Sequence, residues 1–266
     1  MESKDPQYPV GSLIVSHEGW CDKGKINPAK MPGNPLGGPA VRPATDLKGL
    51  PLSHLIGCCG MPGNTAYFGF LELCQPKAGE TVVVNGAAGA VGSLVGQIAK
   101  IRGCKVVGYA GTDEKVEWLK RDLGFDHAFN YKKISAKESL KIGAPDGVDC
   151  FFDNVGNADS VAVIGAMNEG GRIACCGAIA TYNDGKQPMV PATTWAMVVK
   201  QLRMEGFNAT KRWADRWEEG ILQMAEWVRE GKVRAHETVV EGFESIPDAM
   251  AGLFTGTNTG KMIVKL

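Results

Sequence analysis

The sequence predicts an α/β fold built on a doubly wound parallel sheet, and two observations carry that prediction. Residues 81–100 read TVVVNGAAGAVGSLVGQIAK, in which the β-branched run Thr81–Val84 is followed by a glycine turn and then by apolar residues at helical spacing from Val91. Downstream, short apolar runs alternate with stretches of helical periodicity as far as residue 229. Such alternation is typical of strands that lie parallel in one sheet with helices on both faces.

The elements of this core follow one another at short intervals. After the first strand and its helix, we predict strands at 104–112, 148–152, 172–176 and 202–207, a short further run at 125–131, and helices at 113–123, 159–167, 194–200 and 213–229. The last helix places Trp213, Trp217, Ile221 and Met224 on one face. We interpret that face as a packing surface rather than an aromatic ligand site.

The two ends of the chain differ from this core. Residues up to about 60 are rich in proline and glycine, and only 12–16 has the pattern of a strand. Beyond residue 236, strand patterns at 238–243 and 261–265 flank a short helix at 246–254. We therefore predict a small second domain contributed by both termini, which divides the chain into residues 1–60, 61–235 and 236–266.

The glycine turn predicts a nucleotide site. Gly86, Gly89 and Gly92 lie between the strand and the helix, where small residues let the backbone approach a pyrophosphate and the helix N-terminus attracts its charge. An ordinary strand-to-helix loop is the alternative interpretation. The flanking strand and helix favour a Rossmann-type dinucleotide site.

The end of the second strand indicates which dinucleotide is bound. Sites that prefer NAD usually place an acidic residue there for the ribose hydroxyls, and residues 108–112 contain none. Asp113 is expected to lie in the first turn of the next helix and to point away from the ribose. Lys115, together with Thr112 and Tyr131, can hold a 2′-phosphate, although an exposed helix lysine is the alternative. The pattern predicts NADPH.

Composition limits the classes of partner. The 266 residues are 44% hydrophobic and carry no formal net charge, and no basic stripe or RNA-binding aromatic motif occurs, so we expect no nucleic-acid partner. The longest apolar runs are strand-sized, which predicts no membrane span. The N-terminal residues are charged rather than apolar, and we expect a cytoplasmic protein.

The cysteines and histidines lack the spacing of a metal site. Four cysteines are isolated, the pairs Cys58–Cys59 and Cys175–Cys176 are adjacent, and the four histidines are scattered. Adjacent cysteines within or beside strands should point to opposite faces and act as small buried apolar residues. We expect no metal.

Several longer sequence segments resemble those of the zinc-independent medium-chain dehydrogenase/reductases, and among these the prostaglandin-reductase group. They are, in chain order, MPGNTAYFG (61–69), AAGAVG (87–92), FDNVG (152–156), CGAIATYN (176–183), LRMEGF (202–207) and TNTGK (257–261). The likeness runs from about Val10 to the end of the chain. It implies that the small second domain is a partial GroES-like β-rich domain, and that the chain forms a homodimer.

The resemblance also implies a reaction and its residues. The expected activity is NADPH-dependent reduction of the carbon–carbon double bond of α,β-unsaturated ketones and aldehydes, including 15-oxo-prostaglandins and lipid-derived alkenals. Tyr182 is the candidate catalytic residue, as a hydrogen-bond donor to the enolate oxygen, and the ribose hydroxyl of the cofactor is the alternative donor. The implied cofactor contacts are Gly89, Ala90, Val91, Gly92, Lys115, Tyr131, Asn154, Cys176, Gly177, Ala178, Ile179, Ala180, Thr181, Tyr182, Phe207, Asn208, Ala209 and Asn258.

Two departures from the family pattern leave other functions open. Most of the β-rich segment that precedes residues 12–20 in the family is absent here, so we expect an N-terminally truncated chain with weakened turnover. Val199 stands where the family often has a tyrosine near the substrate carbonyl. The alternatives are an NADPH-binding isoform with little turnover and a quinone reductase.

Overall fold

A computed structural model describes residues 3–28, 41–183 and 189–266. Its centre is a six-stranded sheet in which every neighbouring pair is parallel, with strand order β5-β4-β3-β6-β7-β8. These strands are β3 (Thr81–Val84), β4 (Lys105–Ala110), β5 (His127–Asn130), β6 (Val148–Asp153), β7 (Met167–Cys175) and β8 (Arg203–Gly206). The strand order reverses between β3 and β6, as in Rossmann-type domains. The predicted fold class is confirmed.

Nine α-helices lie within the described residues. They are α1 (Met61–Phe68), α2 (Gly92–Ile101), α3 (Asp113–Arg121), α4 (Ala136–Gly143), α5 (Ala158–Gly165), α6 (Thr194–Val199), α7 (Ala209–Arg212), α8 (Trp217–Arg229) and α9 (Ile246–Thr255). A π-helical segment, Gly69–Cys74, continues directly from α1. In this described part of the chain, no helix is long and apolar enough to cross a membrane.

The sheet separates two hydrophobic clusters. Val82 and Val84 pack into one cluster and Val83 into the other, because successive strand residues point to opposite faces. The first cluster takes in side chains of α1, α2, α3 and α8, and the second those of α4 and α5. The layers therefore stack as helix, sheet, helix, which leaves the strand ends at the rim of the molecule free to form a site.

Two small sheets use the terminal parts of the chain. Strand β1 (Ile14–Ser16) pairs antiparallel with β2 (Val41–Pro43), and β9 (Glu237–Glu241) pairs parallel with β10 (Lys261–Lys265). The strand predicted at 261–265 is present with those bounds, and the strands predicted at 12–16 and 238–243 are present with shorter or shifted bounds. Residues 29–40 of the predicted domain 1–60 lie outside the described residues, and the division into three domain segments stays a prediction.

One predicted helix has the wrong start. Residues 213–229 do not form a single helix, because Ala214–Arg216 is a 3-10 turn and α8 begins at Trp217. Trp213 instead ends α7, and its ring stacks on Phe68 with centroids 5.3 Å apart. Trp213, Ile221 and Met224 are buried, as expected for a packing face.

Candidate functional site

Nearly all predicted site segments follow the carboxyl ends of the parallel strands. The glycine turn follows β3, Lys115 follows β4 in the first turn of α3, and Tyr131 follows β5. Asn154, residues 176–182 and residues 207–209 follow β6, β7 and β8. Since these strands are parallel, their carboxyl ends share one edge of the sheet, which is where open α/β sheets bind ligands.

The glycine turn is tightly folded and its helix is uncapped. Gly86 has φ +56°, and a Cβ on Gly92 would lie 2.4 Å from the carbonyl oxygen of Gly86, so neither position accepts a side chain without strain. At Gly89 a Cβ would meet only that carbonyl oxygen, at 3.3 Å. No described side chain caps α2, but the N–H groups of Ser93 and Leu94 already donate to the carbonyls of Gly89 and Val91, so an anion would have to meet the N–H groups that precede them.

A buried network that the sequence did not predict joins the turn to β6. The Asn85 amide donates to Asp153 Oδ1 at 2.6 Å, and the backbone N–H groups of Val155 and Gly156 donate to the same oxygen at 2.9 Å. Asn154 donates from its backbone N–H to Asn85 Oδ1 and from its side chain to the Asn85 carbonyl. Asp153 is therefore a turn-organising carboxylate, and Asn154 fixes the position of the glycine turn.

The loop after β7 is bonded to the loop after β6. The N–H groups of Cys176 and Gly177 donate to the Asp153 carbonyl, and those of Ile179 and Ala180 donate to the carbonyls of Asn154 and Val155. The Tyr182 hydroxyl accepts from the Ala178 N–H at 3.1 Å while its side chain stays largely exposed. This places the phenol at the rim, with its own proton free to be donated.

Lys115 borders a groove of about 530 Å³ between α3 and the C-terminal segment 256–259. Thr112 caps α3 by accepting from the Lys115 N–H, and the Lys115 ammonium donates to the Gly256 carbonyl at 2.7 Å. Burial, with a smaller contribution from Lys132, lowers the pKa of Lys115. Asp113 points away, accepting from Asn130 and Lys133. The groove therefore has Lys115 at its edge, and its lining also contains one acidic residue, Glu114.

Asn258 and Tyr131 flank this groove. Asn258 lies between Gly256, which contacts Lys115, and Gly260, whose N–H donates to the Ala88 carbonyl at 2.8 Å. The Asn258 side chain donates to the Gly260 carbonyl. The Tyr131 hydroxyl lies close to Gly111, where a Cβ would be 3.1 Å from it. The C-terminal segment thereby joins the glycine turn and the Lys115 region into one surface.

Residues 207–209 present mainly backbone to the site. The Phe207 ring packs edge-on against Phe152 and Trp213, and a Cβ on Gly69 would lie 2.4 Å from it. Ala209 is buried, and the Asn208 side chain caps α7 by accepting from the Lys211 N–H. Side-chain contacts to a ligand from this segment remain predictions.

The adjacent cysteines behave in two different ways. Cys175 and Cys176 pack toward different hydrophobic clusters, on opposite faces of the sheet, as predicted. Cys58 and Cys59 are buried in the hydrophobic core, as predicted, but they do not point to opposite faces, because they lie in a turn rather than a strand and their Sγ atoms are 3.8 Å apart. The hydrogen bond between these thiols raises the pKa of Cys58 and lowers that of Cys59.

Comparison with known proteins identifies the family. The profile of the zinc-binding dehydrogenase family matches residues 90–227. Prostaglandin reductase 1 of Rattus norvegicus is 49% identical over 267 aligned positions that span 100% of this chain and 78% of the relative. The chain belongs to the zinc-binding dehydrogenase family of medium-chain dehydrogenase/reductases. The predicted resemblance and the prediction of an oxidoreductase are confirmed.

Two further relatives of this dehydrogenase bear on its site. The NADP(+)-dependent 2-alkenal reductase of Nicotiana tabacum is 43% identical, spanning 99% of this chain and 74% of the relative. The crystal structure of CurA in complex with NADPH from Vibrio vulnificus superposes with a TM-score of 0.79 and 39% identity, covering 85% of this chain and 68% of CurA. The residues matched by the family profile do not include Cys58 and Cys59, so the family's name assigns no zinc ligand to this pair of cysteines.

Proposed function

We propose that this dehydrogenase reduces the carbon–carbon double bond of α,β-unsaturated ketones and aldehydes with NADPH. The supporting observation is the combination of 49% identity to a prostaglandin reductase with a glycine turn and Lys115 groove at the sheet edge. The NADP-dependent alkenal reductase, at 43% identity, supports the same class of substrate.

The residues at the sheet edge fit NADPH. The turn around Gly86 and Gly92 has no room for side chains, and it opens onto the uncapped start of α2, which would hold the pyrophosphate. Lys115, with Thr112 and Tyr131 nearby, would hold the 2′-phosphate. The loop Cys176–Tyr182, Asn154, the segment 207–209 and Asn258 would contact the rest of the cofactor.

The protein's part in the chemistry is to orient the substrate and to stabilise charge. When bound, NADPH supplies the hydride that adds to the β-carbon of the enone. We assign to the Tyr182 hydroxyl the donation of a hydrogen bond to the enolate oxygen, which lowers the energy of the charge that develops there. Solvent then delivers the proton to the α-carbon. No side chain of the site has to act as a strong base.

Consumption of NADPH by the purified chain tests this function. We expect oxidation of NADPH with a medium-chain 2-alkenal and with a 15-oxo-prostaglandin, with the saturated carbonyl compound as product by mass spectrometry. A simple quinone should give a lower kcat/KM. Turnover of the quinone alone would assign the chain to the quinone reductases, whereas tight NADPH binding without any turnover would assign it to a cofactor-binding isoform.

We also propose a cytoplasmic homodimer with no nucleic-acid partner. All eight cysteines are free, which suits a reducing compartment, and the zero net charge offers no attraction for nucleic acid. β8 is an edge strand of the large sheet, and Trp195 and Val198 of α6 are 79% and 68% exposed. An exposed edge strand beside apolar side chains favours pairing with a second copy. Light scattering of the purified chain distinguishes dimer from monomer.

A further inference from the structure

A cluster of metal-ligating side chains lies outside the cofactor region. The 3-10 helix Leu52–Ile56 carries His54, and the turn that follows it carries Cys58 and Cys59. One ligand atom from each of these three residues lies within 4.8 Å of the other two, and all three residues are buried. Within the described residues, this is the one group of histidine, cysteine and acidic side chains arranged in this way.

A fourth side chain, from another part of the chain, lies beside the cluster. Glu237, the first residue of β9, places Oε1 4.0 Å from Nε2 of His54. Neither Oε1 of Glu237 nor Nδ1 of His54 is exposed to solvent, and neither has a hydrogen-bond partner among the described residues. His54 is only 8% exposed. Because buried polar atoms in proteins are nearly always paired, the unpaired Oε1 of Glu237 near Nε2 of His54 indicates a missing ligand. The unpaired Nδ1 is the other nitrogen of the ring, and a single ion binds only one of the two.

We propose that His54, Cys58, Cys59 and Glu237 form a binding site for a zinc ion. Thiolate and imidazole are preferred zinc ligands, and a carboxylate is a common companion. Two zinc–sulfur bonds of about 2.3 Å that meet at the tetrahedral angle hold their sulfur atoms about 3.8 Å apart. The Sγ atoms of Cys58 and Cys59 are 3.8 Å apart, so the thiols need little rearrangement to chelate the ion.

The proposed site has a structural role rather than a catalytic one. It lies before α1, whereas the cofactor region follows the strand ends. With four protein ligands it leaves no open position on the metal, which is typical of structural zinc sites. The ion would join the segment 52–59 to β9. Binding replaces the two thiol protons with zinc–sulfur bonds, and those protons are released to solvent.

Cobalt substitution tests the site directly. The full chain, freed of metal under reducing conditions, should bind one equivalent of Co²⁺ and develop thiolate-to-cobalt charge-transfer absorption together with the visible bands of tetrahedral cobalt. One equivalent of Zn²⁺ should displace the Co²⁺ and abolish both absorptions, and Zn²⁺ added to the metal-free chain should release protons. Absence of the charge-transfer absorption at saturating Co²⁺ would overturn the proposal.

Variants locate the metal. Cys58→Ser combined with Cys59→Ser should remove the charge-transfer absorption, and His54→Gln or Glu237→Gln should weaken Co²⁺ binding at least tenfold, since even residues that only support a ligand cost about 10- to 100-fold. The matched control is Cys175→Ser with Cys176→Ser, another adjacent pair, which should keep the full spectrum. If the Cys58/Cys59 double variant does not fold, the His54→Gln variant tests the site instead. Unchanged Co²⁺ affinity in that variant would contradict the proposed site.

Discussion

Lys115 sits in the first turn of α3, where its ammonium group is partly desolvated and donates to the carbonyl of Gly256. Both burial and the charge of Lys132 disfavour the protonated amine. A bound anion reduces that penalty, because it places an opposite charge directly beside the amine. A lysine held in this way is better suited to a phosphate than one extended into solvent.

Replacing Lys115 with alanine should therefore reduce the preference for NADPH. A charge-assisted hydrogen bond is worth about 1.5–3 kcal/mol, which corresponds to roughly ten- to a hundredfold in the dissociation constant of NADPH. Affinity for NADH should change little. Fluorescence titration with both nucleotides measures the effect, with Lys120→Ala on the same helix as control. Equal losses for NADPH and NADH would show that Lys115 does not contact the 2′-phosphate.

Tyr182 offers a hydroxyl whose proton is uncommitted, because its oxygen accepts from Ala178. The Tyr182→Phe variant should keep NADPH affinity and lower kcat for a 2-alkenal by about 10²-fold, as expected for loss of one donor to a developing oxyanion. Steady-state kinetics and cofactor titration on the same preparation separate the two effects. An unchanged kcat would assign the enolate hydrogen bond to the ribose hydroxyl of the cofactor.

At the scale of the element, the strand–turn–helix unit explains why glycine occupies each position. A Cβ on Gly92 overlaps the Gly86 carbonyl, whereas one on Gly89 meets it only at 3.3 Å and otherwise points into open space. Gly89→Val should therefore fold normally and lose NADPH binding, while Gly92→Ala should be destabilised. Thermal unfolding and NADPH titration test both variants. Gly165→Val is the control, because a Cβ at Gly165 would have no other atom within 4 Å. Retained affinity in folded Gly89→Val would mean that the turn does not face the pyrophosphate.

The carboxylate of Asp153 holds the ends of β3 and β6 together. Asp153→Ala removes an acceptor from three donors, namely the buried Asn85 amide, which keeps a 3.4 Å bond to Ser160, and the half-buried N–H groups of Val155 and Gly156. Since a buried donor that loses its acceptor costs about 1–3 kcal/mol and half-buried donors cost less, the free energy of unfolding should fall by about 1–3 kcal/mol. Denaturant unfolding measures this loss. The exposed Asp146→Ala should stay within about 0.5 kcal/mol of the parent chain, and a similar result for Asp153→Ala would contradict the role of the network.

Local periodicity was sufficient to predict the parallel sheet, but not the helices without a polar face. The segment from Met61 to Cys74 forms α1 and a π-helical extension that are buried on most sides, so it lacks the amphipathic pattern by which a helix is recognised. In the same way, the spacing of His54, Cys58 and Cys59 matches no standard metal motif. The turn at Gly57 brings His54 close to the two cysteines, and β9 places Glu237 beside His54. Neither contact can be seen in the spacing of the sequence.

Some site residues can likewise be predicted from the local sequence, whereas others are positioned by contacts between distant parts of the chain. Gly86 and Lys115 were predictable from the strands that precede them, whereas Asn154 was implied by the family resemblance. The bonds from Lys115 to Gly256 and from Gly260 to Ala88 join residues more than 140 positions apart. The contact between Asn85 and Asp153 had a sequence signal, since both are polar residues at the carboxyl ends of strands.

At the scale of the whole molecule, the proposed cofactor surface is assembled from distant parts of the chain. The C-terminal segment is tied to the glycine turn by the Gly260–Ala88 bond and to α3 by the Gly256–Lys115 bond. A ligand that spans the turn and the groove must therefore stabilise all three segments together, because opening any one of them breaks part of the site. α4 packs on the other face of the sheet and takes no part in these contacts.

Hydrogen exchange measured by mass spectrometry tests this coupling. Saturating NADPH should slow exchange in peptides covering 84–95, 110–118 and 255–262 together, with little change in a control peptide covering α4, residues 136–143. Lys115→Ala should diminish the protection at 110–118 and 255–262 more than that at 84–95, because the pyrophosphate cradle remains intact. If NADPH protects only 84–95 in the parent chain, the C-terminal segment lies beside the cofactor site without contributing to it, and Asn258 is not a cofactor contact.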